Sequence, residues 1–265
     1  MTVSGTRSKH PRLRRVLLTV CALVFWIALW AILAAWVDKE VLLPSPVSVG
    51  RVLVELILLP SYWVAIGASL LRILVGFLIG CAVGIVLAVL CFRFAVADAL
   101  ISPALSVIRA VPVASFIILA LVLIGTGAVP SFTAFLMVLP IVAANTKTGI
   151  ASADPGLREV CRLYRFGILK TVRLLYIPSI RPYFLTAART SLGLAWKAGI
   201  AAEVLCSSLP RSIGGEIYDS KVYLEMPALF AWTITVILIS MGIESLLFRL
   251  PVFKESQRTA KEGES

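Results

Sequence analysis

Long apolar blocks alternate with short polar gaps along this chain, and one of the gaps is itself patterned. Six blocks approach the roughly 20 residues that a helix needs to cross a hydrocarbon core about 30 Å thick. They are Val16–Trp36, Ile73–Phe92, Ala104–Ile124, Ser131–Ala144 with a little more on its far side, Phe184–Cys206 and Ala228–Phe248. Only GTGAVP, Gly125 to Pro130, separates the third from the fourth, which predicts an antiparallel hairpin. Pro112 and Pro140 fall inside those two blocks, where each removes a backbone hydrogen bond and permits a kink. Gly76, Gly80 and Gly84 recur every four positions in the second block, a row that lets another helix approach closely. The predicted fold is all-α and integral to the membrane. It has six transmembrane helices over 16–248, a basic tail at 1–15 and a second tail at 249–265.

The patterned gap is DPGLREVCRLYRFGILKTVRLLYIP, residues 154–178, inside a polar loop spanning 145–183. Its seven formal charges forbid a seventh span, because each such residue costs about 2.5 to 3.5 kcal/mol near the bilayer centre. Asp154 suits an N-cap and Pro155 the first helical position. Leu157, Val160, Cys161 and Tyr164 then recur at i, i+3, i+4 and i+7, with Arg158, Arg162 and Arg165 on the other side. Phe166-Gly167 predicts a break, and a second helical run from Ile168 to Ile177 is expected to stop at Pro178. Such a helix could lie on anionic lipid or dock in a groove on a partner. Periodicity alone does not choose between them.

Composition supports the lipid as solvent. The 265 residues are 60% hydrophobic and 15% charged, where soluble domains carry about a quarter charged; the mean hydropathy is +0.98. The net charge of +11 is spread through the gaps rather than gathered on one domain, which fits topology and not nucleic acid. With the N-terminus inside, the cytoplasm receives Arg7, Lys9, Arg12, Arg14 and Arg15, Arg93, seven basic residues from Lys147 to Arg181, and Arg249, Lys254, Arg258 and Lys261. The outside receives Lys39, Arg51, Arg211 and Lys221 among six carboxylates. Both termini are therefore predicted cytoplasmic. The first block is too long for a signal-peptide core and reads as a retained span.

Catalysis finds no footing. The one histidine, His10, is in the tail, and the five cysteines form no CxxC pair, so neither a metal site nor a disulfide framework is expected. No GxxxxGK[ST] loop is present to hold nucleotide phosphates. Ionisable residues within spans are costly and invite a role. Arg72 and Glu203 lie at similar depth near the outer edge, where they could pair or snorkel separately. Lys197 falls near mid-span, six residues from Glu203 and at the wrong angle for a local pair. It is expected to face the bundle interior or a cavity between copies, either in an anion pathway or in a structural hydrogen bond. Arg109 and Glu244, near the inner face, are expected to snorkel.

The loop resembles the cytoplasmic "EAA" loop of binding-protein-dependent ABC importer permeases. Glu159 stands for the family's Glu, Val160 and Cys161 for its two alanines, and Ile177-Pro178 for its closing Leu-Pro, with Pro178 nineteen after Glu159. Arg165 stands where the family has Gly, and Gly167 two residues on is the expected flexible point. LLPSPVSV (42–49), SLLRILVGFLIGCAVGIVLAV (69–89) and ARTSLGLAWKAGIAAEVL (188–205) are similar to the nitrate/sulfonate/taurine-type branch. The resemblance implies a MetI-like fold and a permease subunit working as a homodimer, with no enzymatic activity of its own. It implies a cytoplasmic ABC ATPase dimer that binds ATP and Mg, so no cofactor is expected in this chain. It also implies an extracytoplasmic substrate-binding protein meeting 42–59 and 207–227, and a sulfonate, taurine, nitrate or thiamine-precursor-like solute. The ATPase groove would take Leu157, Val160, Cys161 and Tyr164, with Arg158, Glu159 and Arg162 at its rim. An ATPase-independent secondary transporter or channel is the alternative, and it has no use for a capped lever in that loop.

Overall fold

The computed structural model describes residues 11–206 and 209–249, so most of both predicted tails lies outside the described residues. All regular structure among them is helical. In order the helices are α1 (Pro11–Val37), α2 (Pro46–Leu58), α3 (Pro60–Arg93), α4 (Ala95–Ala110), α5 (Val113–Ile124) and α6 (Val129–Ala151). Then come α7 (Pro155–Leu163), α8 (Ile168–Thr171), a π turn at Val172–Tyr176, α9 (Ile177–Leu205), α10 (Ile213–Val222) and α11 (Met226–Arg249).

The core is α6 packed between α3 and α9; the α3–α6 and α6–α9 interfaces are the most extensive in the molecule. The glycine row of α3 is what brings α6 so close. A Cβ on Gly76 would fall 2.1 Å from the Ser131 carbonyl oxygen, on Gly80 2.8 Å from Val138 Cβ, and on Gly84 3.1 Å from Val142 Cβ. Dispersion between closely approached backbones replaces the hydrophobic drive that is missing in lipid. Gly199 of α9 receives the Ile73 side chain in the same way. α11 is fastened to this core by Tyr62 Oη and Thr235 Oγ1 at 2.9 Å and by the Trp196 indole N–H donating to the Val236 carbonyl at 3.3 Å. α1 stands apart, touching the rest through a Trp30–Phe230 ring stack and a Trp30 N–H bond to the Pro44 carbonyl.

Four helices, α1, α3, α6 and α11, are both long and apolar enough to cross a membrane. α9 has the length, but Arg181, Arg189, Lys197 and Glu203 lower its hydropathy. The predicted continuous span Ala104–Ile124 is corrected: α4 ends at Ala110, α5 starts at Val113, and their axes differ by 105°. The cause is local. Pro112 has no N–H and pushes Val111 into an extended conformation (φ −77°, ψ 133°), so the helix ends instead of kinking. The pair makes a fifth crossing only as a broken span. Pro140, by contrast, stays inside an unbroken α6. The GTGAVP turn follows prediction, with Gly125 at φ +74°.

Candidate functional site

α7 is built as its sequence predicts. The Asp154 carboxylate accepts from the Gly156 and Leu157 backbone N–H groups at 2.6 and 3.3 Å, and Pro155 opens the first turn. Its end departs from expectation. The Phe166 N–H donates to the Cys161 carbonyl at 2.9 Å and the Arg165 N–H to the Arg162 carbonyl at 3.1 Å, the paired bonds of a Schellman cap. That cap needs a left-handed residue after Tyr164, and Arg165 supplies it at φ +51°. The position where the resembling family has Gly is thus the one whose backbone favours Gly. Gly167, expected as the flexible point, is instead extended (φ −63°, ψ 159°), a conformation open to any residue.

Pro178 does not stop the second run. The chain is helical without interruption from Ile168 to Leu205. The π turn at Val172–Tyr176 makes this possible: the Ile177 N–H reaches back five residues to the Val172 carbonyl. That wider turn shifts the hydrogen-bond register just before a residue with no N–H, and Pro178 then lies in the first turn of α9, where no donor is missed. The loop is therefore a short capped helix hinged onto the end of a long one.

Of the predicted stripe, Cys161 turns inward. It packs with Ala153, Leu175, Phe166 and Tyr176, holding α7 onto the π turn, so it is not available to fill a partner's groove. Leu157, Val160 and Tyr164 are exposed. Beside them stand three residues that the stripe left out: Leu163, Ile168 and Leu169 are 79%, 84% and 87% exposed. Exposed apolar surface of this extent marks a binding face. Glu159 and Arg162 are exposed around it, Arg158 is half-buried, and Lys170 Nζ sits 3.9 Å over the Phe166 ring.

The far end of α9 is the opposite case. Glu203 is fully buried. Its Oε2 accepts from Ser69 Oγ at 2.7 Å and from the Gly214 N–H at 3.2 Å, and its Oε1 pairs with Arg72 Nη1 at 3.4 Å. Ser69 Oγ in turn accepts from the Ile213 N–H at 3.0 Å. Of the two sequence alternatives for Arg72 and Glu203, pairing is the one realised, and the carboxylate also caps the start of α10. Gly214-Gly215 form the first turn of α10; a Cβ on Gly214 would lie 2.3 Å from Glu203 Cβ. On α10, burial and then the neighbouring Asp219 push the Glu216 carboxyl above its usual range.

Arg109 does not snorkel freely: its Nη2 donates to the Pro140 carbonyl at 2.6 Å and ties the end of α4 to α6. Asp98 of α4 pairs with Lys147 of α6. Lys197 is exposed, so it does not face the interior of its own bundle.

Comparison with known proteins follows this geometry. The family described as binding-protein-dependent transport system inner membrane component matches residues 80–250. The nitrate import permease protein NrtB of Synechocystis sp. is 29% identical over 91% of this chain and 89% of its own. The bicarbonate transport system permease protein CmpB of Synechococcus elongatus is 26% identical, covering 82% and 81%. A chain of the MetNI methionine ABC transporter in inward-facing conformations superposes with a TM-score of 0.55 at 16% identity, over 73% of this chain and 93% of that one. It shares the fold.

Proposed function

Given that the chain belongs to the binding-protein-dependent transport system inner membrane component family, we propose that two copies of it form a pathway for a small oxyanion through the cytoplasmic membrane. It is a multi-pass permease subunit of an ABC importer, and ATP is hydrolysed by a separate subunit. ATP and Mg belong to that ATPase dimer. The solute is of the nitrate, bicarbonate or sulfonate kind, in keeping with what the relatives are named for. A binding protein delivers it to the external segments α2 and 209–227. Both termini lie in the cytoplasm.

One observation carries the coupling role. A capped helix, α7, is clamped by Cys161 to a rod that is helical from Ile168 to Leu205, and around that joint lie Leu163, Tyr164, Ile168 and Leu169, all exposed. A floppy loop would transmit nothing. A rigid joint with an uncovered apolar face can be gripped and pushed, and α9 carries the push through the membrane to α10. Leu157, Val160 and Tyr164 join the gripped surface, while Arg158, Glu159 and Arg162 set register at its rim.

The test is uptake into proteoliposomes holding the permease with its ATPase and binding protein. Labelled nitrate or bicarbonate should accumulate only with internal ATP and external binding protein. Accumulation without either would favour a secondary carrier.

A further inference from the structure

The exposed residues of α9 differ from the apolar stretches that α3, α5 and the middle of α11 expose. α3 shows Leu71, Leu74 and Leu78 to its surroundings, α5 shows Ile118, Leu119, Val122 and Leu123, and α11 shows Ile237, Leu238 and Met241. Those faces suit lipid. α9 instead exposes Thr186, Thr190, Leu194, Lys197 and Ala201 along one side.

Lys197 cannot escape from that side to a headgroup. Its depth follows from its own helix: Lys197 lies eight residues, about 12 Å, inside the outer end of α9 at Leu205, and the adjacent Trp196 bonds to Val236 near the middle of α11. A helical side chain leans toward the N-terminus of its helix. The inner boundary in that direction, near Phe184, is about 20 Å away at 1.5 Å per residue, well beyond a lysine's reach. Nor is the charge neutralised at home. Among the described residues Lys197 makes no hydrogen bond or ion pair, and Glu203 is taken up by Ser69, Arg72 and Gly214. Thr186 and Thr190 donate to carbonyls of their own helix, so they add little charge to the stripe. The carboxylate of Glu244 lies a turn further in, 3.8 Å from where a Gly193 Cβ would be.

An ammonium held this far from the headgroups without an ion pair is costly against hydrocarbon. We propose that Lys197 is the anion-selecting cation of the translocation pathway, presented by each of two copies of this chain to a water-filled passage between them. The proposal rests on the pathway reading above and adds the residue that sets the sign of the solute. A nitrate, bicarbonate or sulfonate group passing this level meets a positive charge in a site of reduced dielectric, where a cation is repelled. The small side chains Gly193 and Ala201 flank the lysine and leave room for it.

The test needs no knowledge of the solute. In the permease–ATPase complex in proteoliposomes, Lys197→Cys is challenged with water-soluble methanethiosulfonates, one bearing a sulfonate and one a trimethylammonium group. Wild-type protein serves as the blank for the native cysteines. Lys197→Cys should react in the nucleotide-free or the ATP-bound state, and Leu78→Cys, on the apolar face of α3, should not. A reporter one turn outward, Ala201→Cys, should prefer the anionic reagent. Lys197→Met should lower that preference by about tenfold, from the opposite Coulomb terms of a unit charge one turn away in water, and Lys197→Arg should keep it. If Ala201→Cys fails to assemble, Thr190→Cys takes its place. An unreactive Lys197→Cys in both states, or a preference unchanged by Lys197→Met, overturns the proposal. Loss of the ATPase from the complex would instead count against the import reading alone.

Discussion

The two ends of α9 are finished to different degrees. At one end Glu203 is buried and satisfied by three partners, Ser69, Arg72 and Gly214, with the Ser69–Ile213 bond behind them. At the other, α7 is held inward by Cys161 while Leu163, Ile168 and Leu169 stand in the open. The first end is complete within one chain. The second is left uncovered by its own chain, and apolar side chains so exposed gain only when something covers them, which is the place the ATPase takes in the proposed function. Between the ends runs an unbroken helix, so a force applied to the unfinished end reaches the finished one.

Breaking the finished end should cost most. Glu203→Ala leaves Arg72, Ser69 and the Gly214 N–H without their acceptor, and should destabilise the detergent-solubilised permease by about 3 to 5 kcal/mol. Thermal unfolding in detergent reads this as a large fall in midpoint. Breaking the unfinished end should leave that midpoint alone. Leu163→Asp combined with Leu169→Asp removes two anchors, and at about 2 kcal/mol for each the ATPase should bind roughly 1000-fold more weakly, by titration onto reconstituted permease. Smaller again is Arg165→Gly. It relieves a left-handed arginine and should stabilise the loop by about 1 kcal/mol, seen as slower amide exchange across 155–166. The comparison sharpens at Gly167→Ala, where the backbone is extended and nothing lies within 4 Å of a new Cβ. There the change should stay within about 0.5 kcal/mol.

The sequence showed these two ends unequally. Apolar block length was enough to find α3, α6 and α11, and i, i+3, i+4 spacing with Asp154 and Pro155 was enough to find α7 and its start. The close approach behind Gly76, Gly80 and Gly84 was legible because small residues at every fourth position have one economical use. Three things were not legible. A proline in a helix was taken to end it at Pro178, yet a π turn leaves no mark in composition and let α9 run on. The same rule was applied too gently at Pro112, where the helix ends and the chain turns by 105°. The stripe read with the family resemblance gives Cys161 to the partner and misses Leu163, Ile168 and Leu169, because a hydrophobic stripe tells which residues share a side, not which side its own chain covers. Arg165 was read as a departure from the family's glycine; the conformation turns out to be the glycine one, occupied by an arginine.

The claim that the joint around α7 and α8 is a handle for a separate ATPase can be tested by footprinting both ends of α9 in one preparation. Single cysteines are placed at Leu163, Leu169 and, on the far side, Tyr223, and each is labelled with a water-soluble maleimide with and without the ATPase. Labelling at Leu163→Cys and Leu169→Cys should fall at least about tenfold when the ATPase is bound, while Tyr223→Cys labels as before. Equal labelling at Leu163→Cys and Leu169→Cys with and without the ATPase, in a complex shown to be assembled, would contradict the account.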